Sequence, residues 1–325
     1  MAEEGLAPFA PEWLAMEQMQ GGRMTLMPGP VDEVRDQFQK IFTTIRPFLP
    51  PPTDAIKTED STLPSGRSIR IYQPTTEEGH GQLPVGLYIH AGGWFAGDME
   101  NEDHLVRNIV DNSKILLIQV DYRLCPENPF PAGLDDCCEA YEWLCTNAAK
   151  YGADGSRRFI MGGSSGGNLA TAVALKYASN PDFKASGLII ACPGTCDRRA
   201  FPEEYKGRWT PEKYVDAPMI GRDMVDWAFE LYQAPSPGEP LVSVLLHPDI
   251  KLLPPNCIMS PTKDPTNQET VFLYEEMKKQ GVDADLVEWE GYPHFFWTIP
   301  MLKASAKFME VWNEKLKGLI GRASS

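Results

Sequence analysis

Short apolar runs alternate with longer amphipathic stretches along most of the chain, from about residue 68 onward. The runs are rich in β-branched residues, and several are apolar at every position, which predicts strands covered on both faces of a sheet. The seven predicted strands are residues 68–73, 85–90, 115–120, 158–163, 187–192, 256–260 and 284–289.

Helical periodicity fills the sequence between these runs. The predicted helices cover residues 102–113, 133–149, 166–178, 267–280 and 302–319. Strands that alternate with helices in this way predict an α/β fold with one doubly wound, mostly parallel sheet.

Two regions break the alternation. The first contains amphipathic helical sequence that ends at three consecutive prolines, Pro50 to Pro52. The second is rich in Trp, Tyr and Pro and is too long for a plain loop. We therefore predict four segments: an N-terminal cap segment (1–52), a first part of the core (53–196), a cap insertion (197–250) and a second part of the core (251–325).

Charge and composition limit the classes of molecule that the protein can be expected to bind. The net charge is −15 and no basic stretch is present, which argues against a nucleic-acid or anionic-membrane partner. The acidic N-terminus does not resemble a signal peptide, and no apolar run is long enough to span a bilayer. We expect a cytoplasmic protein that acts on a small neutral or apolar molecule. A homodimer through an edge strand or the last helix is compatible with the pattern.

The seven cysteines form neither a paired CxxC motif nor a zinc-type spacing with histidine. We expect free and mostly buried thiols, with no bound metal. A catalytic cysteine is disfavoured because a serine is better placed to use the chain's suitable histidine.

The strongest chemical motif is Gly163-Ser164-Ser165-Gly166-Gly167, between the predicted strand 158–163 and a predicted helix. A G-x-S-x-G pattern in that context is typical of a nucleophile on a tight strand-to-helix turn. We assign Ser165 as the nucleophile, with Ser164 as its neighbouring rival. Taken alone, the motif is also compatible with a plain glycine turn or a phosphate-binding loop.

A second motif, His90-Ala91-Gly92-Gly93-Trp94, follows the predicted strand 85–90. A glycine pair lets the backbone approach a substrate closely, so its N–H groups can stabilise a negative carbonyl oxygen. We predict an oxyanion hole formed by the N–H groups of Gly92, Gly93 and Gly166, although an ordinary glycine turn has the same composition.

The base and the acid follow from chain order, which in this type of hydrolase is nucleophile, acid, base. Of five histidines, only His247 and His294 follow the serine motif, and only His294 lies beyond Asp264, the best-placed acid after a predicted strand. We assign His294 as base and Asp264 as acid. Glu269, Asp283 and Asp285 stay open as alternative acids, and the chemistry requires no cofactor.

Together these motifs resemble the hormone-sensitive-lipase branch of the α/β-hydrolases. HAGGW is similar to the family's HGGGW, VDYRLCPENPFPAGLDD at 120–136 to DYRLAPExxFPAxxxD, and GSSGGNLA to GDSAGGNLA. LLPPNCIMSPTKDP and GYPHFF are similar to the family's stretches around its acid and its histidine, which supports Asp264 and His294.

The resemblance implies an α/β-hydrolase fold with a helical cap and the activity of a serine carboxylesterase. It makes five aromatic residues candidates for substrate binding: Trp94, Phe95, Tyr205, Trp209 and Trp227. It also implies a structural polar network near the site that includes Asp121, Arg123 and Glu127.

Three departures from the family pattern affect substrate preference more than chemistry. Ala91 replaces the first glycine of HGGG, and TNQE replaces LRDE after the acid. With Ser165 as nucleophile, Ser164 replaces the preceding Asp and Gly166 the following Ala.

We expect hydrolysis of a small to medium, apolar ester, because the chain resembles fungal esterases that act on acetylated or lactone-type secondary metabolites. The same site could instead support acyl transfer, lactonisation or cyclisation if water is excluded. A ligand-binding receptor derived from an esterase is less favoured, since the serine, acid and histidine are all present.

Overall fold

The computed structural model describes residues 8–75 and 82–323. Its strands in chain order are β1 (Thr25–Leu26), β2 (Ile56–Thr62), β3 (Ser68–Pro74), β4 (Leu83–Ile89), β5 (Leu116–Val120), β6 (Ala153–Gly163), β7 (Gly187–Ala191), β8 (Met219–Ile220), β9 (Asn256–Pro261) and β10 (Ala284–Trp289). Its α-helices are α1 (Pro11–Met19), α2 (Val31–Ile45), α3 (Asp103–Ser113), α4 (Ala132–Asn147), α5 (Ser165–Lys176), α6 (Glu203–Lys206), α7 (Arg222–Tyr232), α8 (Asn267–Lys279) and α9 (Lys303–Arg322).

Eight strands form the central sheet in the order β10-β9-β7-β6-β4-β5-β3-β2. β3 runs antiparallel to β2 and β5, and the other neighbouring pairs are parallel. Every residue of β5, β7 and β9 is buried, so helices cover both faces of the sheet. The predicted doubly wound, mostly parallel α/β sheet is confirmed.

All seven predicted strands and all five predicted helices are present, with ends that shift by at most five residues. The main-sheet strand that the sequence did not predict is β2, which pairs with β3 at the sheet edge. Its sequence, IKTEDST, is polar and mostly exposed. Edge strands of this kind lack the apolar pattern that reveals buried ones.

The N-terminal segment and the insertion after β7 lie against each other. β1 pairs in parallel with β8, and the Arg23 guanidinium donates to the carbonyl of Asp216 at 3.0 Å. We call these two segments, residues 10–50 and 198–232, the cap. The four predicted segment boundaries stay predictions, and residues 1–7 and 76–81 lie outside the described part of the chain.

Within the described ranges, no helix combines the length and the apolar character that crossing a membrane requires. The cap and the sheet instead enclose one shared apolar core that extends from Trp13 in α1 to Trp312 in α9.

Candidate active site

The turn between β6 and α5 carries Ser164 at its apex. Ser164 adopts φ 53° and ψ −126°, a backbone conformation that costs energy for a residue with a side chain. Its N–H donates to the Ala191 carbonyl at 2.8 Å, which ties the turn to the end of β7. Ser164 is partly exposed, so its hydroxyl is accessible from the cavity above it.

Two glycines flank this apex because no larger residue fits. A Cβ on Gly166 would lie 2.1 Å from the carbonyl oxygen of Ile89, and one on Gly162 would lie 2.6 Å from that oxygen and from the backbone of Gly166. The turn therefore needs glycine two residues before and two residues after Ser164. The G-x-S-x-G pattern that the fold uses is Gly162 to Gly166, centred on Ser164.

The loops after β9 and β10 bring an acid and a base to the same edge. His294 Nδ1 lies 2.6 Å from Asp264 Oδ2, and His294 Nε2 lies 2.9 Å from Ser164 Oγ. Asp264 and His294 are both buried. The other oxygen of Asp264 accepts from the Thr266 N–H at 2.8 Å and the Thr266 hydroxyl at 2.9 Å, so the carboxylate is fixed in orientation.

The prediction of Ser165 as nucleophile is wrong by one residue. Ser165 is the first residue of α5 and is 2% exposed, and the hydroxyl that lies within hydrogen-bond distance of His294 is that of Ser164. The sequence contains two overlapping G-x-S-x-G patterns, and only the earlier one has its serine at the strained apex next to His294. The family motif GDSAGGNLA then aligns with residues 162–170, so the departures are Gly163 and Ser165 rather than Ser164 and Gly166.

The predicted oxyanion donors shift in the same way. With Ser164 at the apex, the following N–H belongs to Ser165, whose position at the start of α5 leaves it without an intrahelical acceptor. Gly166 lies one residue further into the helix, where its role is close contact with Ile89. Gly92 and Gly93 adopt φ of 131° and 61° beside the same cavity, and their donor role stays a prediction.

Glu102 bonds to the start of the loop that carries Gly92 and Gly93. Its carboxyl accepts from the N–H of Ala91 at 3.2 Å and from the Tyr88 hydroxyl at 2.7 Å. Burial raises the pKa of Glu102 to about 7, because the charged form loses its hydration. Next to it, His90 stacks on Tyr122 at 4.2 Å, and burial lowers the pKa of His90, which favours the neutral ring.

The other acids and histidines considered for catalysis lie elsewhere. Glu269 accepts from the Thr195 N–H at 2.9 Å, and burial raises its pKa well above the ordinary range. Asp285 pairs with Lys315 and Asp283 with Arg322. His247 Nδ1 accepts from the N–H of Asp249, and His80 lies outside the described residues.

Two members of the expected polar network form ion pairs with residues outside the catalytic group. Arg123 pairs with Asp136 at 2.8 Å, and Glu127 pairs with Arg35 at 2.6 Å. Asp121 lies close enough to His90 to favour the charged form of that ring.

All seven cysteines are free thiols, as the sequence predicts, and six are buried. Cys192 lies next to the catalytic group: its sulfur and ligand atoms of Asp264 and His294 all lie within 4.8 Å of one another. A metal ion there would have to compete with the bond between Asp264 and His294. Burial and the nearby Asp264 carboxylate raise the pKa of Cys192 well above its usual value, so it stays a neutral thiol.

A cavity of about 70 Å³ lies between this edge of the sheet and the cap, with both serines and His294 in its wall. Of the five aromatic candidates, Trp94 and Phe95 line the cavity. Trp227 is not in the wall but packs edge-on against Phe95 at 5.0 Å.

The other two aromatic candidates, Tyr205 and Trp209, do not line the cavity, so the structure gives no support to their predicted role in substrate binding. Trp209 stacks on Phe201 at 3.9 Å, and Tyr205 stacks on Phe272 at 4.6 Å. This cluster joins the insertion to α8 and stabilises the cap rather than contacting a substrate.

Most of the remaining cavity wall is apolar, with Thr266 as a polar member, and it comes largely from residues that the sequence did not single out. They include Leu26, Phe38 and Ile41 from the N-terminal segment, and Met219, Met224 and Phe229 from the insertion. The only earlier indication was the amphipathic pattern of α2 and α7, which marks a buried face without saying what it faces.

Comparisons with known proteins identify the family and the fold of the chain. The alpha/beta hydrolase fold family matches residues 86–298. A versiconal hemiacetal acetate esterase of Dothistroma septosporum is 30% identical over 307 residues, which cover 93% of this chain and 92% of that protein. The crystal structure of vibralactone cyclase is similar with a TM-score of 0.90 and 29% identity, over 100% of this chain and 98% of that one. The hyperthermophilic esterase of the archaeon Pyrobaculum calidifontis has a TM-score of 0.83 and 25% identity, over 96% and 99%.

Proposed function

The chain is a carboxylic ester hydrolase of the α/β-hydrolase family, and on that premise we propose that it cleaves a small to medium, apolar ester through an acyl-enzyme on Ser164. The observation that carries the proposal is the chain of hydrogen bonds from Ser164 through His294 to Asp264.

The proposed mechanism follows from the order of these contacts. Asp264 accepts a hydrogen bond from the Nδ1–H of His294, which leaves the Nε2 lone pair facing the Ser164 hydroxyl. His294 removes the Ser164 proton as the oxygen attacks the ester carbonyl, and it then delivers that proton to the leaving alcohol. Water repeats both steps on the acyl-enzyme and releases the acid.

The developing negative oxygen needs N–H donors in a fixed position. Gly92, Gly93 and Ser165 are the proposed donors, since all three line the cavity beside Ser164 and Ser165 opens a helix whose dipole favours negative charge. Among the described residues, no Asp, Glu, Lys or Arg side chain lies in the cavity wall. A neutral substrate with apolar groups on both sides of the ester is therefore favoured.

The acetate ester named in the relative from Dothistroma septosporum supports a narrower proposal. Under this proposal the substrate is an acetylated or lactone-type secondary metabolite. The carbon-lined cavity suits a short acyl group beside a larger, apolar alcohol.

The test is hydrolysis of p-nitrophenyl esters from acetate to long acyl chains by three proteins: wild type, Ser164→Ala and Ser165→Ala. We expect rapid turnover of short chains by the wild type and a loss of at least about 10⁴-fold in kcat for Ser164→Ala. Ser165→Ala keeps its backbone N–H and serves as the matched control, with a loss below about tenfold. Equal losses in the two variants would contradict the assignment.

A second candidate is acyl transfer or cyclisation at the same serine, supported by the similarity to vibralactone cyclase over the whole chain. The two candidates differ in what removes the acyl group from Ser164. Turnover in water enriched in ¹⁸O distinguishes them, since hydrolysis places the label in the released acid. Cyclisation or transfer to an added alcohol leaves the product unlabelled.

A further inference from the structure

We infer that Arg35, a cap residue in α2, is a positioning residue for the oxyanion loop, which we define as residues 91–97. This inference rests on the proposed function. The guanidinium does not touch the cavity, and it acts through the backbone of the loop that carries Gly92 and Gly93.

The oxyanion loop has an unusual backbone that needs external support. Gly92, Gly93, Trp94 and Gly97 all have positive φ, between 61° and 131°. The turn is closed by the N–H groups of Phe95 and Ala96, which both donate to the Gly92 carbonyl. A run of such conformations persists only where surrounding contacts hold it.

Arg35 supplies contacts of this kind through several of its donors. Nε donates to the Phe95 carbonyl at 2.8 Å, inside the loop, and Nη2 donates to the Cys125 carbonyl at 3.0 Å. The Cys125 N–H in turn donates to the Trp94 carbonyl at 3.0 Å. Two consecutive carbonyls of the oxyanion loop are therefore fixed. Arg35 bonds directly to that of Phe95, and Cys125, which Arg35 also bonds, donates to that of Trp94.

Glu127 fixes the guanidinium in this orientation. Its two oxygens accept from Nη1 and Nη2 at 2.7 and 2.6 Å, a bidentate pairing that defines the plane of the guanidinium. The same pairing lowers the pKa of Glu127 to about 2, so the carboxylate is ionised. A lysine cannot reproduce this pattern because its ammonium has no planar fork.

The consequence is a direct link between the cap and the chemistry. The helix that carries Arg35 also places Phe38 and Ile41 in the cavity wall. Substrate contact with α2 and the position of the Gly92 and Gly93 N–H groups thus depend on one helix. Loss of Arg35 is expected to weaken binding of the transition state more than binding of the substrate.

A matched pair of variants separates this role from general stability of the cap. Arg35→Met keeps the aliphatic chain and removes the donors. Arg23→Met is the control, since Arg23 also anchors the N-terminal segment, through Glu17 at 3.1 Å and the Asp216 carbonyl, but makes no bond to the oxyanion loop.

The measurements are kcat and KM for p-nitrophenyl acetate, and affinity for two inhibitors. A boronic acid adds to the catalytic serine and presents a tetrahedral oxygen to the oxyanion hole. A neutral amide of the same shape binds non-covalently and presents no such oxygen. For Arg35→Met we expect kcat and boronate affinity to fall together by about 10- to 100-fold, with KM and amide affinity within about threefold. Arg35→Lys should resemble Arg35→Met, and Arg23→Met should match wild type in kcat.

Glu127→Gln provides a second route if Arg35→Met does not fold, and a smaller loss of about 3- to 10-fold with the same split is expected. The inference is overturned if the folded Arg35 or Glu127 variants lose kcat no more than Arg23→Met, or lose boronate and amide affinity equally. Failure of the proposed function is a different result: the wild type itself would neither hydrolyse the ester nor bind the boronate.

Discussion

The catalytic edge of the sheet and the cap contribute opposite kinds of side chain to one cavity. The edge provides Ser164, Asp264 and His294, each joined to its neighbour by a hydrogen bond and supported by backbone N–H groups. The cap provides apolar side chains: its residues in the cavity wall are aliphatic, aromatic or methionine.

The two regions also differ in how tightly their backbone is determined. Around Ser164 the contacts are so close that even a methyl group on Gly166 would collide with Ile89. In the cap, the pairing between β1 and β8 involves two residues on each strand. Under the proposed function, we expect the edge of the sheet to set the reaction and the apolar cap wall to select the substrate, with Arg35 as the cap residue that bonds to the oxyanion loop.

The largest expected effect tests the acid at the catalytic edge. Asp264→Asn should lower kcat by about 10³- to 10⁴-fold, because the amide no longer stabilises the protonated His294 or its correct tautomer. Glu269→Gln is the control: Glu269 accepts from the Thr195 N–H rather than contacting His294, and an amide oxygen can accept the same bond, so the loss should stay below about tenfold. A larger loss for Glu269→Gln than for Asp264→Asn would transfer the acid role to Glu269.

The next effect concerns the cost of burying an acid behind the oxyanion loop. The pKa of Glu102 rises from 4.5 to about 7 on folding, so the folded protein holds a proton that the unfolded chain releases between these values. The stabilisation that this proton gives the folded state is fully present below pH about 4.5 and is lost as the pH rises through 7. Over that range the free energy of unfolding falls by about 3 kcal/mol. Glu102→Gln should remove that part of the pH dependence.

Urea unfolding of wild type and Glu102→Gln at pH 5 and pH 8 measures this contribution. We expect the variant to lose less stability than the wild type between the two pH values. An identical pH dependence in both proteins would contradict this expectation and show that the two donors, the Ala91 N–H and the Tyr88 hydroxyl, keep Glu102 ionised in the folded state.

A smaller effect tests selection of the substrate by the cap. Met224 lies in α7 and lines the cavity, so Met224→Ala should shift the preference towards longer acyl chains by about tenfold in relative kcat/KM. Met277→Ala makes the same change in the buried core of α8, away from the cavity wall. It should lower stability and leave the acyl-chain preference unchanged; a shift of equal size there would undermine the separation of the two roles.

The smallest effect is expected in the part of the cap that does not reach the cavity. Tyr205→Phe removes the hydroxyl that donates to Glu276 at 3.2 Å, and should cost about 1 kcal/mol of stability. Thermal unfolding measures that loss. The p-nitrophenyl ester profile should match the wild type, and an altered profile would return Tyr205 to the substrate site.

Sequence patterns predicted the sheet well because its central strands are buried on both faces and their apolar runs are continuous. Chain order also left His294 and Asp264 as the best pair, and the structure places their side chains 2.6 Å apart, while their roles as base and acid stay predictions. The apex of the nucleophile turn was not predictable, because Gly162 to Gly167 fits the serine motif in two positions. What distinguishes the two positions is that Gly162 and Gly166, which flank Ser164, both pack against the Ile89 carbonyl. That packing exists only in the folded protein.

The cavity wall was the least predictable part of the site. Many of its residues come from β1, α2, the oxyanion loop, β8 and α7, which are separated by up to about two hundred positions in the chain. Aromatic composition pointed to Tyr205 and Trp209, but a stacked cluster in the protein interior and a binding surface have the same composition. Their positions depend on how the insertion folds against α8.

The measurement that tests the central claim most directly is the site of covalent labelling by a fluorophosphonate. The wild type is treated with the reagent, digested, and the peptide that contains both serines is fragmented in a mass spectrometer. We predict a single adduct on Ser164 and none on Ser165, with labelling abolished in Ser164→Ala and retained in Ser165→Ala. An adduct on Ser165, or labelling that survives in Ser164→Ala, would contradict the account.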